Sequence, residues 1–125
     1  MQPQNLNVIA VKAFVPARDF ELSKQFYQAI GFTLDWTNAN LAGLHHGATT
    51  FFLQKFYVQN HAENFLMQLQ VENVDDWHAH LETERIHERF GVRIDAPENQ
   101  PWGMRDFNLF DPSGVLWRVS QLIAA

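Results

Sequence analysis

The sequence predicts an α+β domain: two βαβββ modules whose strands form a curved mixed sheet with a groove, and whose helices lie on its outer face. Three observations carry this reading. A β-hairpin is spelled out around Asp111-Pro112-Ser113-Gly114, a capped amphipathic helix lies in each half of the chain, and the strand candidates around each helix fall in the same order. A hairpin cannot stand alone in water, so the rest of the chain must supply a larger sheet with a covered face.

Residues 1–7 are polar and are expected to fray. Residues 8–15 read as a strand, with Ile9, Val11, Ala13 and Val15 on one face and Ala10, Lys12 and Phe14 on the other. Pro16 ends it. Asp19 offers an N-cap for a helix to about Ile30, in which Leu22, Phe26 and Ile30 form the buried stripe and Gly31 is the stop. Strands are expected next at residues 32–36, 41–46 and 50–57, separated by Asn38-Ala39-Asn40 and by Gly47. This is the first module, about residues 8–57.

Residues 58–63 form a polar connection. Residues 65–71 then alternate, with Phe65, Met67, Leu69 and Val71 on one side and Leu66, Gln68 and Gln70 on the other. Asn73 caps a second helix whose apolar stripe is Val74, Trp77 and Leu81 and which ends before Phe90-Gly91. Residues 92–94 read as a short strand and residues 96–103 as a proline-containing loop. Phe107, Leu109 and Phe110 run into the hairpin turn, where Asp and Pro suit a type I start and Gly tolerates positive φ at the close, and residues 115–119 run out of it. The second module, about residues 64–121, repeats the order of the first, which marks an internal duplication within one domain, residues 1–125. One helix covers one face of each sheet, so the other faces are left to enclose a groove.

Composition bounds the function. The chain has 125 residues, no cysteine, and a formal net charge of −5 with a pI near 5.6. That balance argues against a nucleic-acid partner, which calls for a basic face, and the missing cysteines exclude disulfides and thiolate chemistry. No apolar run approaches a membrane span, and the N-terminus lacks the charged and apolar regions of a signal peptide, so the expected location is cytoplasmic with no membrane partner. Eleven Phe and four Trp exceed what so small a core usually holds, and some are expected to line a cleft or an interface.

Strand alternation assigns Lys12, Phe14, Phe52, Gln54, Phe56, Leu66, Gln68, Gln70, Leu116, Arg118 and Ser120 to the face away from the helices. Aromatic walls with sparse polar anchors suit a small organic ligand. Lys12 and Arg118 would hold an anionic or carbonyl group, or else pair with Asp106, Glu72 or another acid and only fill the groove. Trp77 and Trp117 fall on helix-facing positions and read as core, and the Asp111-Pro112-Ser113-Gly114 turn reads as fold punctuation. Of the six histidines, His45 and His46 diverge on a strand, His78 and His80 diverge on a helix, and His80 with Glu84 lies on a charged face, so none is taken as a metal ligand. No Ser-His-Asp set or phosphate-cradling glycine loop is present.

Three stretches resemble the vicinal oxygen chelate superfamily, which includes glyoxalase I, extradiol dioxygenases and the bleomycin-resistance proteins. They are FVPARDFELSKQFYQAIGF at residues 14–32, LQVENVDDW at residues 69–77 and PWGMRDFNLFDPSGVLWRVSQ at residues 101–121. The last looks most like the bleomycin-resistance branch. In metal-dependent members four His or Glu ligands, one from each of four groove-facing strands, hold one divalent ion. The corresponding positions here are Lys12, Leu53 or Gln54, Leu66 and Arg118. None is a good ligand, and two are cations, so no metal, no other cofactor and no catalytic residue is assigned.

The resemblance therefore implies a metal-free small-molecule-binding homodimer, sequestering a drug or metabolite, in which both protomers line the ligand grooves. The expected ligand-binding residues are Lys12, Phe14, Phe52, Gln54, Leu66, Gln68, Trp102, Asp106 and Arg118. The resemblance implies that the Trp102 loop reaches over the groove, where the indole would stack on a planar ligand, or else plug the groove or a dimer contact. Drug-binding members present acidic grooves to a cationic drug, and Lys12 with Arg118 departs from that pattern. The alternative is a lyase, isomerase or dioxygenase of the same superfamily with an atypical metal site or with acid-base catalysis by Asp106 or Glu72. A third reading is a dimeric interaction module whose groove is plugged by its own aromatic side chains.

Overall fold

The computed structural model describes residues 3–123; residues 1 and 2 of the polar lead and residues 124 and 125 of the domain lie outside the described residues. The first module runs β1 (Phe14–Pro16), α1 (Phe20–Ile30), β2 (Thr33–Thr37), β3 (Leu41–His46) and β4 (Thr49–Gln54). After the short α2 (Gln59–Glu63), the second runs β5 (Leu66–Gln70), α3 (Val74–Thr83), α4 (Ile86–Phe90), β6 (Glu98–Asn99), β7 (Met104–Phe110) and β8 (Leu116–Leu122). The strands form two four-stranded mixed sheets, ordered β1-β4-β3-β2 and β5-β8-β7-β6, so the duplication expected from the sequence is exact in strand order. In each sheet the first strand runs parallel to the last and the other neighbours are antiparallel.

Local chemistry explains most boundaries. Asp19 caps α1, its Oδ1 accepting from Leu22 N–H at 3.1 Å, and Gly31 ends the helix with φ at 129°. Phe26 and Ile30 are buried as the spacing required, joined by Phe20, Ser23 and Tyr27, while Leu22 is only half-buried. Asn73 caps α3 in the same way, accepting from Asp76 N–H at 3.0 Å.

Four expectations are corrected. The first strand does not begin at Val8: pairing starts where Phe52 N–H donates to Ala13 O, and β1 covers only Phe14–Pro16. Residues 58–63 include a helical turn rather than only a connection. The second helix breaks at Arg85, which adopts φ of 55°, before resuming as α4. At about 100° per residue a continuous helix would swing Ile86 well off the Val74–Leu81 stripe; the break re-aims it, and Ile86 is fully buried. Residues 92–94 give no strand, only a single bridge from Ile94 to Leu109, and the fourth strand of the second sheet is β6 within the expected loop.

The core joins the modules. Phe51 of β4 and Trp117 of β8 lie 5.3 Å apart between ring centroids, and Tyr27 of α1 packs on both. The two sheets thus turn their helix-facing sides to one shared core, and their other faces point away from it. Tyr27 O–H donates to Asp111 Oδ2 at 2.6 Å and accepts from Trp117 Nε1–H at 2.9 Å, which fastens the first module's helix to the second module's hairpin.

Burial, together with the Asp111 carboxylate beside it, pushes the Tyr27 phenol well above its ordinary value. The folded chain then holds a proton that the unfolded chain releases. This contribution to stability is full below about pH 10 and is lost as pH rises beyond it. Melting curves across that range should show the loss, and Tyr27→Phe should remove its share while costing about 1–2 kcal/mol at neutral pH from the broken hydrogen bonds.

Candidate functional site

The face of the first sheet turned away from the core carries an aromatic row. The register aligns Phe14 with Phe52, Phe52 with Gly43, and Gly43 with Trp36, one residue from each of the four strands. Phe14 and Phe52 meet edge to face at 4.9 Å, and Trp36 meets Phe52 at 5.6 Å. Gly43 makes that second contact possible: a Cβ there would stand 2.4 Å from Trp36 Nε1. Phe14 and Trp36 remain 46% and 44% exposed, an apolar surface offered to solvent. Lys12 Nζ lies over the Phe52 ring, 5.0 Å from its centroid.

Trp36 was not among the expected site residues, and a β-bulge is the reason. Leu34 pairs with Leu44 and Trp36 with Gly43, so the register slips at Asp35. Simple alternation would put Trp36 on the same face as Leu34, toward the core; the extra residue flips it to the open face. Asp35 itself turns to His45, with Oδ1 and Nδ1 2.6 Å apart.

The second sheet's open face is more polar. Its rows are Leu66, Leu116 and Phe110; Gln68, Arg118 and Asn108; and Gln70, Ser120, Asp106 and Glu98. Asp106 is buried and accepts from Gln100 Nε2 at 3.0 Å, and Asn108 Nδ2 donates to Asp95 at 3.2 Å. These groups border a cavity of about 540 Å³ whose lining also includes Arg93 and Glu98. Trp102 sits in the turn before β7, 64% exposed.

The nine expected ligand-binding residues thus fall into two sets. Lys12, Phe14, Phe52 and Gln54 belong to the first sheet's open face, and Leu66, Gln68, Asp106 and Arg118 to the second's, with Trp102 beside it. The shared core separates the sets within one chain. Among the described residues Lys12 and Arg118 form no ion pair, whereas Lys24, Arg89, Arg93 and Arg105 each hold a carboxylate. Asp106 is hydrogen-bonded to Gln100 instead, and Glu72 lines a separate cavity with His46, Asn73, Asp76 and Trp77.

The four positions at which the resemblance implied metal ligands carry side chains that do not suit a divalent ion. Leu53 is fully buried toward the core, so Gln54 is the residue that takes the open-face position. The set is then Lys12, Gln54, Leu66 and Arg118: two cations, one amide and one hydrocarbon, where a divalent ion needs carboxylates and neutral imidazoles. Among the described residues no three His, Asp or Glu side chains converge as a metal-binding group.

A family model described as the Glyoxalase/Bleomycin resistance protein/Dioxygenase superfamily matches residues 6–119. A bleomycin resistance protein of Klebsiella pneumoniae is 29% identical over 110 residues, covering 86% of this chain and 87% of that one. A crystal structure of a bleomycin-binding protein complexed with bleomycin superimposes with a TM-score of 0.77 at 25% identity, over 91% of this chain and 98% of that one. TnmS3, an antibiotic-binding protein from Streptomyces sp. CB03234, superimposes with a TM-score of 0.71 at 26% identity, over 94% of this chain and 99% of that one.

Proposed function

Because this chain belongs to the Glyoxalase/Bleomycin resistance protein/Dioxygenase superfamily, we propose that it is a metal-independent, cytoplasmic homodimer that sequesters a small organic molecule. The ligand class is a drug or metabolite with a planar aromatic part. The observation that carries the reading is the aromatic row Phe14, Phe52 and Trp36, seated by Gly43 and open to solvent. Such a row offers stacking area and dispersion, and sequestration needs affinity without bond-making. The relatives described as bleomycin-binding and antibiotic-binding support an antibiotic as the first ligand to try.

The separation of the two half-sites supports the dimer. In one chain the aromatic row and the Gln68–Arg118–Asn108 row face away from the shared core; a second protomer can bring its second sheet opposite the first sheet of its partner. Lys12 and Arg118, free of carboxylates among the described residues, are then available to a polar group of the ligand.

Titration with metal-free bleomycin, followed by tryptophan fluorescence, tests the reading. Saturable binding is expected, unchanged by a chelator or by added zinc, nickel, manganese or ferrous ions. Trp36→Ala is expected to weaken it about tenfold or more, the loss of one good stacking contact of about 1.4 kcal/mol. Stoichiometric metal in protein purified without a tag, or a melting shift that grows with metal concentration, would instead support an enzyme.

A further inference from the structure

The geometry points to His45 as the polar contact beside the aromatic row: an imidazole held by Asp35 so that its Nε2 accepts a hydrogen bond, which selects planar ligands carrying an N–H or O–H donor at the ring edge. The inference rests on the row as the ligand's seat and names the ligand chemistry that the row by itself leaves open.

The bulge that turns Trp36 to the open face also makes this pair. Asp35 is the residue left over where Leu34 pairs with Leu44 and Trp36 with Gly43. Its Oδ1 lies 2.6 Å from His45 Nδ1, and the two side chains keep 39% and 37% of their surface. A pair this exposed contributes little to stability. Its consequence lies in the ring it fixes. A carboxylate only accepts, so the proton of the neutral imidazole sits on Nδ1, and Nε2 keeps its lone pair for another donor. The negative charge behind the ring strengthens the bond that lone pair accepts.

Position brings the lone pair to the seat. His45 alternates with the buried Leu44, so it shares the open face with Gly43, two residues back on β3. Two residues span about 7 Å of strand. Trp36 crosses β3 at Gly43, so a fused two-ring system stacked on Trp36 and Phe52 reaches the imidazole with its edge. The rest of that neighbouring row is polar. The register sets Thr33 and Thr50 on either side of His45, and hydroxyls turn to suit either partner. Lys12 falls opposite Thr50 when the β1–β4 register is extended two residues, and its Nζ lies over the Phe52 ring. The seat therefore has a direction: a cation that only donates stands toward β1, and an acceptor of fixed polarity stands toward β2. A ligand edge that carries only acceptors would set lone pair against lone pair at His45.

The test uses the full chain and two planar probes that differ at one nitrogen, indole and 1-methylindole. Both are titrated to millimolar concentration by NMR, with the imidazole nitrogens followed in long-range nitrogen–proton spectra. In the free protein His45 is expected to carry its proton on Nδ1, and indole but not 1-methylindole should move the Nε2 resonance. The ratio of indole to 1-methylindole affinity is expected to fall about fivefold in His45→Leu. His45→Gln, whose amide oxygen still accepts, should restore part of it. Asp35 is a positioning residue, so Asp35→Ala should mix the two tautomers and lower the same ratio. Trp36→Ala should instead weaken both probes alike. A ring protonated on Nε2, or a ratio unchanged in a folded His45→Leu, would overturn the acceptor while binding of both probes leaves the row standing. Failure of both probes to bind would overturn the row and the acceptor together.

Discussion

Asp111→Ala is expected to destabilise the protein by about 3–5 kcal/mol, a large part of the total stability of a domain this size. Asp111 is buried at the hairpin turn and serves three donors. Its Oδ1 accepts from Ser113 N–H at 2.8 Å and Val115 N–H at 2.9 Å, and its Oδ2 accepts from Tyr27 O–H. Alanine leaves all three buried without an acceptor, and each such orphan costs about 1–3 kcal/mol before relief from unburying the charge. The turn is also tied to the first module, since Arg18 N–H donates to Ser113 Oγ at 2.9 Å. Urea unfolding should show the lower midpoint, and loss of the contact between the modules should appear as a less cooperative transition.

Asp111→Asn separates hydrogen bonding from charge. The amide oxygen still serves the two backbone donors, so the cost at neutral pH is expected to stay within about 1.5 kcal/mol. Burial pushes the Asp111 carboxyl up from its ordinary value, against the pull of the hydrogen bonds from Tyr27 and the turn. With the folded value above the unfolded one, the favourable contribution is present below about pH 4 and falls away as pH rises through the folded value. The wild-type chain should therefore gain on Asp111→Asn as pH is lowered toward that range. A gap between the two proteins that does not change with pH would show that Asp111 is not burdened by burial of its charge.

Gly43→Val is expected to abolish most ligand affinity, about thirtyfold or about 2 kcal/mol, while moving stability by no more than about 1–2 kcal/mol. The valine side chain would occupy the space where Trp36 crosses β3, because even a Cβ would lie 2.4 Å from the indole nitrogen. The indole must rotate off Phe52, and the row breaks at its centre. The fold tolerates this because the row faces solvent and because valine suits a strand better than glycine does. Isothermal titration with bleomycin, set beside thermal melting, separates the two effects. Equal affinity in Gly43→Val and wild type would remove the aromatic row from the binding site.

The modular plan was legible because it depends on local signals. Asp19, Asn73 and Gly31 mark helix ends through hydrogen bonds and backbone angles within a few residues, and Gly114 closes the hairpin turn with φ of 91°. The alternation of β4, β5 and β8 also placed Phe52, Gln54, Gln68 and Arg118 on the open faces, as burial of Phe51, Leu53, Trp117 and Val119 on the opposite faces requires. Trp36 and Gly43 were not legible. Their meeting depends on one unpaired residue, Asp35, and a bulge is a property of how two strands pair rather than of either strand's composition.

The sequence by itself therefore determined the two βαβββ modules, the hairpin turn and which strand positions avoid the core, because capping, turn geometry and period-two alternation act over short stretches of chain. Only the tertiary structure decided which sides of the two sheets face each other. Tyr27 joins Asp111 and Trp117 across 84 and 90 residues, and that contact puts the helix-facing sides together. The open faces are consequently turned apart, and the expected site is divided into halves. The first strand was shortened for the same kind of reason. Residues 8–15 alternate as a strand should, but a strand also needs a neighbour, and in the register that sets Phe14 opposite Phe52 residues 8–10 lie beyond Thr49, where β4 begins.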